Sequence, residues 1–134
     1  MSHFTIVKTK ITRRSALVKA LQKMGFKRHM IEVSDTPLQL KGYQGDFREK
    51  KFANVRIKGA GWGQRSNFVG AASNDLGFQK MEDGSYAFHV SDYDNRKYNQ
   101  GWQTKLLDQY GVAVVQEIAS EQNFFIETEE QTEN

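Results

Sequence analysis

Three aspartates stand where predicted β-segments begin or end, and carboxylates at such positions can coordinate a metal ion or form turns. Asp75 precedes one such segment, and Asp92 and Asp94 follow another. In an extended chain Asp92 and Asp94 would point the same way, so their oxygens could hold Mg²⁺ or Ca²⁺. Aspartates at strand ends more often accept hydrogen bonds from their own backbone in turns. Since the sequence contains no twelve-residue calcium loop, the three are weak candidates and no metal site is predicted.

The residue types that carry most catalysis are absent or isolated. The chain has no cysteine, which excludes disulfides, thiolate metal sites, iron–sulfur clusters and a cysteine nucleophile. His3, His29 and His89 fall on three separate predicted strands, without serine or carboxylate neighbours at the spacing of a triad or a zinc motif. The sequence therefore predicts no catalytic residue and no cofactor, and it favours a binding function over an enzymatic one.

The run Gly59-Ala60-Gly61-Trp62-Gly63 has the glycine content of a phosphate-binding loop. Such loops bring backbone N–H groups to an anion at the start of a helix. The following residues show no helical period, and the Lys-Ser/Thr ending of these loops is missing. We therefore expect a flexible loop that exposes Trp62 beside Arg65, where the ring could stack on a base or fill a pocket of a protein partner.

Charge is segregated along the chain. Residues 1–70 contain 15 basic and 4 acidic residues, whereas residues 71–134 contain 4 basic and 12 acidic ones, so balances of +11 and −8 give the net charge of +3. A basic patch would bind nucleic acid in a salt-sensitive way with little sequence preference. Alternatively, the two halves attract each other within one fold. The candidate anion-binding residues are Lys8, Lys10, Arg13, Arg14 and Lys19 near the first strand–helix junction, extended by Arg56 and Lys58.

The hydrophobic pattern predicts two helices. The first runs from a Thr12 cap to a stop at Gly25 and carries apolar residues at helical spacing. The second begins near Trp102, and Gly111 within it suggests close packing or a kink. Its apolar stripe contains Leu106, Leu107, Tyr110, Ala113, Val114 and Ile118.

Seven short segments have the composition or alternation of strands. A turn at Asp35-Thr36-Pro37 separates the second from the third, and Glu82-Asp83-Gly84 predicts a hairpin. The order of elements favours an α+β fold, a mostly antiparallel sheet with two helices packed on one face. The predicted strands are Phe4–Thr9, His29–Val33, Leu38–Tyr43, Ala53–Lys58, Gly77–Met81, Ser85–Val90 and Phe124–Glu127.

The length of 134 residues, with 38% hydrophobic and 26% charged residues, fits one domain rather than a disordered or membrane chain. We expect a single α+β domain over residues 1–126 and an acidic disordered tail over residues 127–134, where four glutamates occur without an apolar residue. The start of the chain lacks the features of a signal peptide, and no run of 18 apolar residues occurs. A cytoplasmic location without membrane contact is therefore predicted.

Several segments, in this order, resemble one conserved family. They are Ser2-His3-Phe4, Leu17…Ala20-Leu21…Gly25, Gly42-Tyr43-Gln44-Gly45, Asn74-Asp75-Leu76-Gly77-Phe78, Asp83-Gly84-Ser85-Tyr86, Ser91-Asp92-Tyr93-Asp94 and Trp102…Leu106…Tyr110. Over roughly residues 2–126 the chain is similar to the hypothetical chloroplast reading frame thirty-five family of plastids, cyanobacteria, other bacteria and phages. The resemblance implies a stromal or bacterial-cytoplasmic setting and no established activity. The family usually continues past the tyrosine with Ala-Tyr-His, but Gly111-Val112-Ala113 stands here, so no histidine role carries over.

These observations predict a small non-catalytic accessory protein that binds another protein, with Trp62 and Arg65 as the candidate contacts. The alternative is a nucleic-acid-binding protein that uses the basic N-terminal half.

Overall fold

The chain folds into five strands and two helices, described by a computed structural model for residues 3–47 and 49–132 and, in the last helix, for side chains as far as Asn123. The sheet has the strand order β1-β5-β4-β3-β2, and every neighbouring pair is antiparallel. The predicted α+β class is therefore confirmed. The strands are β1 (Phe4–Lys8), β2 (Glu32–Gln39), β3 (Phe52–Ile57), β4 (Leu76–Lys80) and β5 (Tyr86–Ser91), and the helices are α1 (Arg14–Lys23) and α2 (Gln100–Thr132).

One row of apolar side chains crosses all five strands and forms the floor of the hydrophobic core. Side chains from both helices belong to the same core cluster, so both helices cover this face of the sheet. The rings of Phe78 and Phe88, on neighbouring strands in the middle of this row, are stacked with their centroids 4.7 Å apart. Because successive residues of a strand point to opposite faces, the row decides which side chains turn away from the helices. In register across the sheet it consists of Val7, Phe88, Phe78, Val55 and Val33.

Helix α1 begins at Arg14, so its cap position is Arg13, one residue later than the predicted Thr12 cap, and no side chain caps it. Instead, the backbone N–H groups of Thr12 and Arg13 each donate to the hydroxyl oxygen of Tyr110 at 3.0 Å. A residue of α2 therefore fixes the start of α1, which no local sequence signal could reveal. The helix ends where predicted, since Gly25 has a φ of +111° in the left-handed region.

Strand β2 replaces the two strands that were predicted over His29–Val33 and Leu38–Tyr43. The predicted turn at residues 35–37 is wrong, because these residues lie inside β2, where its register on β3 shifts between Val33 and Leu38. A bulge accommodates the extra residues there. Because β2 is an edge strand, Pro37 is tolerated although it lacks a backbone N–H donor.

Helix α2 is longer than predicted. It begins at Gln100 and continues through Phe124–Glu127, so the predicted final strand is wrong. A short apolar run cannot by itself distinguish a strand from the continuation of a helix. Of the two possibilities predicted at Gly111, close packing within the chain is wrong, because a Cβ atom there would meet nothing within 4 Å, whereas a kink stays a prediction.

The disordered acidic tail over residues 127–134 stays a prediction, since the side chains after Asn123 and the residues after Thr132 lie outside the described part of the chain. Within the described residues, no helix is long and apolar enough to cross a membrane.

The sheet face opposite the helices carries a second row of side chains and is partly closed by the β2–β3 loop. Leu40 of this loop packs over the middle of the sheet, since a Cβ atom on Gly77 would lie 2.9 Å from its methyl carbons and 2.7 Å from that of Ala53. His89 is only 1% exposed and its Nε2 lies 2.8 Å from the side-chain oxygen of Gln79. The row consists of Ile6, His89, Gly77, Arg56 and Glu32.

The contact between Leu40 and Gly77 can be tested with a pair of glycine substitutions. Gly77→Ala should lower the free energy of unfolding by about 2 kcal/mol, because the added methyl group overlaps Leu40 and Ala53. Gly111→Ala should instead raise it by about 1 kcal/mol, because alanine favours a helix and the position is open. Urea unfolding at low protein concentration measures both. Equal stabilities of the two variants would contradict this packing.

Burial lowers the pKa of His89 to about 4, and the positive charge of Lys51 acts in the same direction. Between the ordinary value of 6.5 and about 4, the unfolded chain therefore binds a proton that the folded chain does not. Stability from the neutral imidazole is complete above the ordinary value and is lost as the pH falls towards 4, by about 3 kcal/mol. His89→Gln should remove this part of the pH dependence in urea unfolding. Gln22→Ala, a substitution of a non-titrating side chain on the exposed side of α1, is the control and should retain the wild-type slope.

Candidate functional site around Trp62

The carboxylate of Asp75, directly before β4, ties together three segments that are distant in the sequence. It is fully buried, and it accepts backbone N–H bonds from Lys41 at 2.8 Å and from Gly59 at 2.8 Å. The indole Nε1–H of Trp62 donates to the same carboxylate at 3.0 Å. Asp75 thus holds the β2–β3 loop, the end of β3 and the following 3₁₀ turn (Ala60–Trp62) in one arrangement.

The electrostatic environment of Asp75 contains opposing influences. Burial raises the pKa of this carboxyl, whereas the N–H donors and the nearby Arg56 guanidinium oppose the rise. The donors satisfy the oxygens in a place from which water is excluded, and burying a carboxylate without them would be costly. The three donors therefore compensate for the burial of this carboxylate, and one of them, the Trp62 indole, is held against it.

A second buried carboxylate continues this network on the other side of β4. One oxygen of Asp94 accepts the backbone N–H of Asn74 and the hydroxyl of Ser91, both at 2.8 Å, and burial raises its pKa. The side-chain oxygen of Asn74 in turn accepts the backbone N–H of Tyr43 at 2.9 Å. These contacts fasten the β2–β3 loop to the turn after β5.

The three candidate metal ligands are therefore placed in different surroundings. Asp75 and Asp94 are buried and accept hydrogen bonds from the chain, whereas Asp92 is exposed and accepts a hydrogen bond from Thr5 at 3.4 Å. Among the described residues, no group of three or more histidine or acidic side chains is arranged to hold a metal ion.

The Gly59–Gly63 run is a fixed element rather than the flexible loop that was expected. Trp62 is half-buried and its indole is bonded to Asp75. A side chain at Gly61 would collide with the backbone at Gly42, so glycine is needed here for close approach of two loops. The expectation of a freely exposed tryptophan is thus wrong, because its polar edge points into the fold.

Three cationic groups surround the Trp62 ring. The Lys41 ammonium lies 3.7 Å from the ring centroid, the Lys58 ammonium 4.5 Å and the Arg56 guanidinium carbon 4.6 Å. Cations within about 6 Å of an indole are attracted by the electrons of the ring. The tryptophan therefore lets three like charges gather in a small volume.

Acidic partners neutralise only part of this positive charge. Glu32 pairs with Arg56 at 2.6 Å and with Lys58 at 3.2 Å. Arg56 is itself buried, and it also donates to the Gln39 carbonyl oxygen at 2.9 Å. Among the described residues, Lys41 has no carboxylate within ion-pair distance, and its ammonium lies instead between Trp62 and the ring of Phe47, 5.3 Å away.

Exposed aromatic residues border the cluster. Phe47 is 40% exposed and Tyr43 is 38% exposed, both in the β2–β3 loop. Arg65 is exposed in the next 3₁₀ turn (Gln64–Ser66). We call the group formed by Lys41, Phe47, Lys58 and Trp62 the Trp62 surface, which Tyr43 and Arg65 flank. Sequence reasoning missed Lys41 and Phe47, because only the fold brings them to the tryptophan.

The remaining basic candidates do not join Arg56 and Lys58 in one patch. Arg13 and Lys19 form ion pairs with Glu117 of α2, at 3.5 and 2.9 Å, and Arg13 also pairs with Glu121 at 3.2 Å. These contacts support the view that the basic and acidic halves attract each other within the fold.

Three further candidates near the first strand–helix junction have different surroundings. Arg14 lies 2.7 Å from Asp35 and also donates to the Tyr86 hydroxyl. Lys8 and Lys10 are exposed. The basic residues that the sequence analysis grouped into one anion-binding patch therefore lie in separate surroundings.

The link between Trp62 and Asp75 predicts a measurable energetic coupling. Trp62→Phe keeps a ring but removes the indole donor, and should lower the free energy of unfolding by about 2 kcal/mol. Asp75→Asn should cost a similar amount, because its amide group would face a backbone donor. The double variant should lose about 1 kcal/mol less than the sum, since the shared bond can be lost only once. Urea unfolding at pH 7 provides all four values.

A remote substitution shows whether that coupling is specific. Trp62→Phe combined with Lys105→Gln, on the exposed side of α2, should be additive within about 0.5 kcal/mol. Additivity in the Trp62→Phe, Asp75→Asn pair as well would mean that the bond does not hold the tryptophan.

Comparison with known proteins gives a family without an assigned activity. Neither a curated protein nor a solved structure matches the chain. A family model described as "Protein of unknown function (DUF1257)" matches residues 20–134, which include the last four residues of α1 and every later element. The chain therefore belongs to the DUF1257 family of proteins of unknown function.

Proposed function

We propose that this protein is a non-catalytic accessory protein that binds an acidic segment of another protein through the Trp62 surface. The observation that carries the proposal is Lys41, whose ammonium lies between two aromatic rings without a carboxylate partner among the described residues. A carboxylate from outside would complete that arrangement at little cost, since Lys41 is already positioned by its backbone bond to Asp75.

The composition of the surface supports a protein partner. Tryptophan and phenylalanine are residue types enriched in protein–protein interfaces, and both belong to the Trp62 surface, which a tyrosine and an arginine flank. Phe47 and Tyr43 offer exposed apolar area next to the cations. A matching partner segment would therefore combine one or two acidic residues with an apolar side chain.

Nucleic-acid binding by the basic N-terminal half is the alternative. Of its candidate residues, Arg13, Arg14, Lys19, Arg56 and Lys58 already have carboxylate partners, which phosphate groups would have to displace. Lys8 and Lys10 are exposed at the end of β1, apart from the Trp62 surface. The geometry thus favours the protein partner over this alternative.

The proposal predicts which substitutions weaken binding without unfolding the protein. Lys41→Gln and Phe47→Ala alter side chains only, so the backbone bond from Lys41 to Asp75 remains. Each should reduce capture of a partner from lysate of the source organism, and should weaken binding of a labelled peptide of alternating glutamate and leucine by about tenfold in fluorescence anisotropy. Lys23→Gln, which removes an exposed charge from α1, is the matched control and should bind like the wild type.

The same assay separates the two functions. Generic DNA and RNA should give only weak binding, whereas phosphate contacts would produce strong binding that falls steeply between about 50 and 200 mM salt. Such a fall for nucleic acid, with no peptide binding, would replace the proposal by its alternative. Equal peptide binding by the wild type, Lys41→Gln and Phe47→Ala would exclude the Trp62 surface as the site.

We further propose that the DUF1257 family matched here is the chloroplast reading frame family that the motifs resemble. The matched residues 20–134 include most of the quoted segments, from Gly42-Tyr43-Gln44-Gly45 to Trp102…Leu106…Tyr110. This assignment supports a cytoplasmic or stromal location. Fluorescent tagging in the source organism tests this location, and a membrane-associated signal would contradict it.

A further inference from the structure

Glu32 is the acidic side chain that forms ion pairs within the cationic cluster around the Trp62 ring. It lies on the edge strand β2, directly opposite Arg56 of β3. One of its carboxylate oxygens is 2.6 Å from an Arg56 nitrogen, and the other is 3.2 Å from the Lys58 ammonium. A single carboxylate therefore engages two of the three cations that surround the tryptophan.

Arg56 is turned into the fold and is not accessible to a ligand. Its Nη1 donates to the Gln39 carbonyl oxygen at 2.9 Å, and its Nη2 donates to Glu32. Its Nε is buried without a hydrogen-bond partner, and only 9% of the side chain is exposed. An anion from outside thus meets Lys41 and Lys58, of which Lys58 is already bonded to Glu32.

Five ionised groups meet in or beside this cluster. Three are the cations Lys41, Arg56 and Lys58, and two are the carboxylates of Glu32 and Asp75. Asp75 is ionised because both of its oxygens accept N–H bonds, which leaves no place for an acidic proton. Three positive and two negative charges leave one positive charge to be balanced. One negative charge from a ligand would therefore neutralise the cluster.

We propose that Glu32 makes the Trp62 surface selective for a carboxylate over a phosphate group. This inference rests on the proposed function, and it names the anion that the protein partner supplies. A carboxylate carries the one negative charge that the cluster can balance, whereas a phosphate monoester carries about 1.5 to 2 at pH 7. A phosphate oxygen bonded to Lys58 would also lie within about 6 Å of the Glu32 carboxylate, which repels it.

A phosphate group cannot simply take the place of Glu32. Displacement of this carboxylate would leave the buried Arg56 guanidinium without its ion-pair partner, and a buried charge that loses its partner is strongly destabilising. Glu32 therefore stays in place when an anion approaches, and it acts on the specificity of the surface rather than on its overall shape.

Fluorescence anisotropy with two labelled peptides tests this role. Both have the same leucine-rich sequence, with one glutamate or one phosphoserine at the same central position. The wild type should bind the glutamate peptide more tightly. Glu32→Gln should strengthen binding of the glutamate peptide by about threefold and of the phosphoserine peptide by about tenfold, because the repulsion removed is proportional to the charge of the ligand. The order of the two peptides should then be reversed or nearly so.

Two further variants show whether the effect belongs to this contact. Glutamine at position 32 keeps an oxygen for Arg56, so the variant should retain the wild-type circular dichroism spectrum. Asp35→Asn removes the same charge from the same strand, but beside Arg14, and should leave the ratio of the two affinities unchanged. The double variant Glu32→Gln, Lys58→Gln should lose the gain for phosphoserine, because the released Lys58 provides it.

The outcomes distinguish this inference from the proposed function. A wild type that prefers the phosphoserine peptide, or a ratio that Glu32→Gln leaves unchanged, would overturn the role of Glu32, whereas tight binding of the glutamate peptide would still support the proposed function. Binding of neither peptide by either protein would overturn the proposed function itself, and this inference with it.

Discussion

The carboxylate of Asp75 accepts hydrogen bonds from the β2–β3 loop, from the end of β3 and from the indole of Trp62, all within a region closed to water. Each donor comes from a segment that has little regular structure of its own. A buried acceptor is costly unless its donors are in place, so this single group makes the positions of the three segments depend on one another. The ordered surface around the tryptophan is a consequence of that dependence.

The register of the sheet explains why this surface lies where it does. Val55 and Phe78 must face the helices, and alternation then turns Arg56 and Gly77 to the other face. With glycine at the centre of that face, Leu40 can pack down onto the sheet and bring the loop that carries Lys41 and Phe47 across the strands. The core pattern on one side thus decides which charges gather on the other.

Much of the fold could be predicted from the sequence, because the relevant signals are local. The alternation of apolar and polar residues predicted β3, and the Asp83-Gly84 turn predicted the β4–β5 hairpin. Apolar residues at helical spacing, followed by Gly25, predicted α1. The missed features depend on distant contacts. Tyr110 caps α1 from another helix, and Lys41 meets Asp75 across 34 positions. The predicted exposure of Trp62 failed for the same reason, since its partner Asp75 had been considered only as a turn former or a metal ligand.

The two edges of the sheet differ from its interior in one further respect. Strand β2 bears the bulge and Pro37, and strand β1 is only five residues long. Edges of this kind are poor templates for another strand, because a bulge and a proline interrupt the row of backbone groups that would pair with it. Extension of the sheet from one molecule to the next is therefore disfavoured at the β2 edge. At that edge, contacts with other chains therefore fall to side chains, where single substitutions can change them without altering the backbone framework.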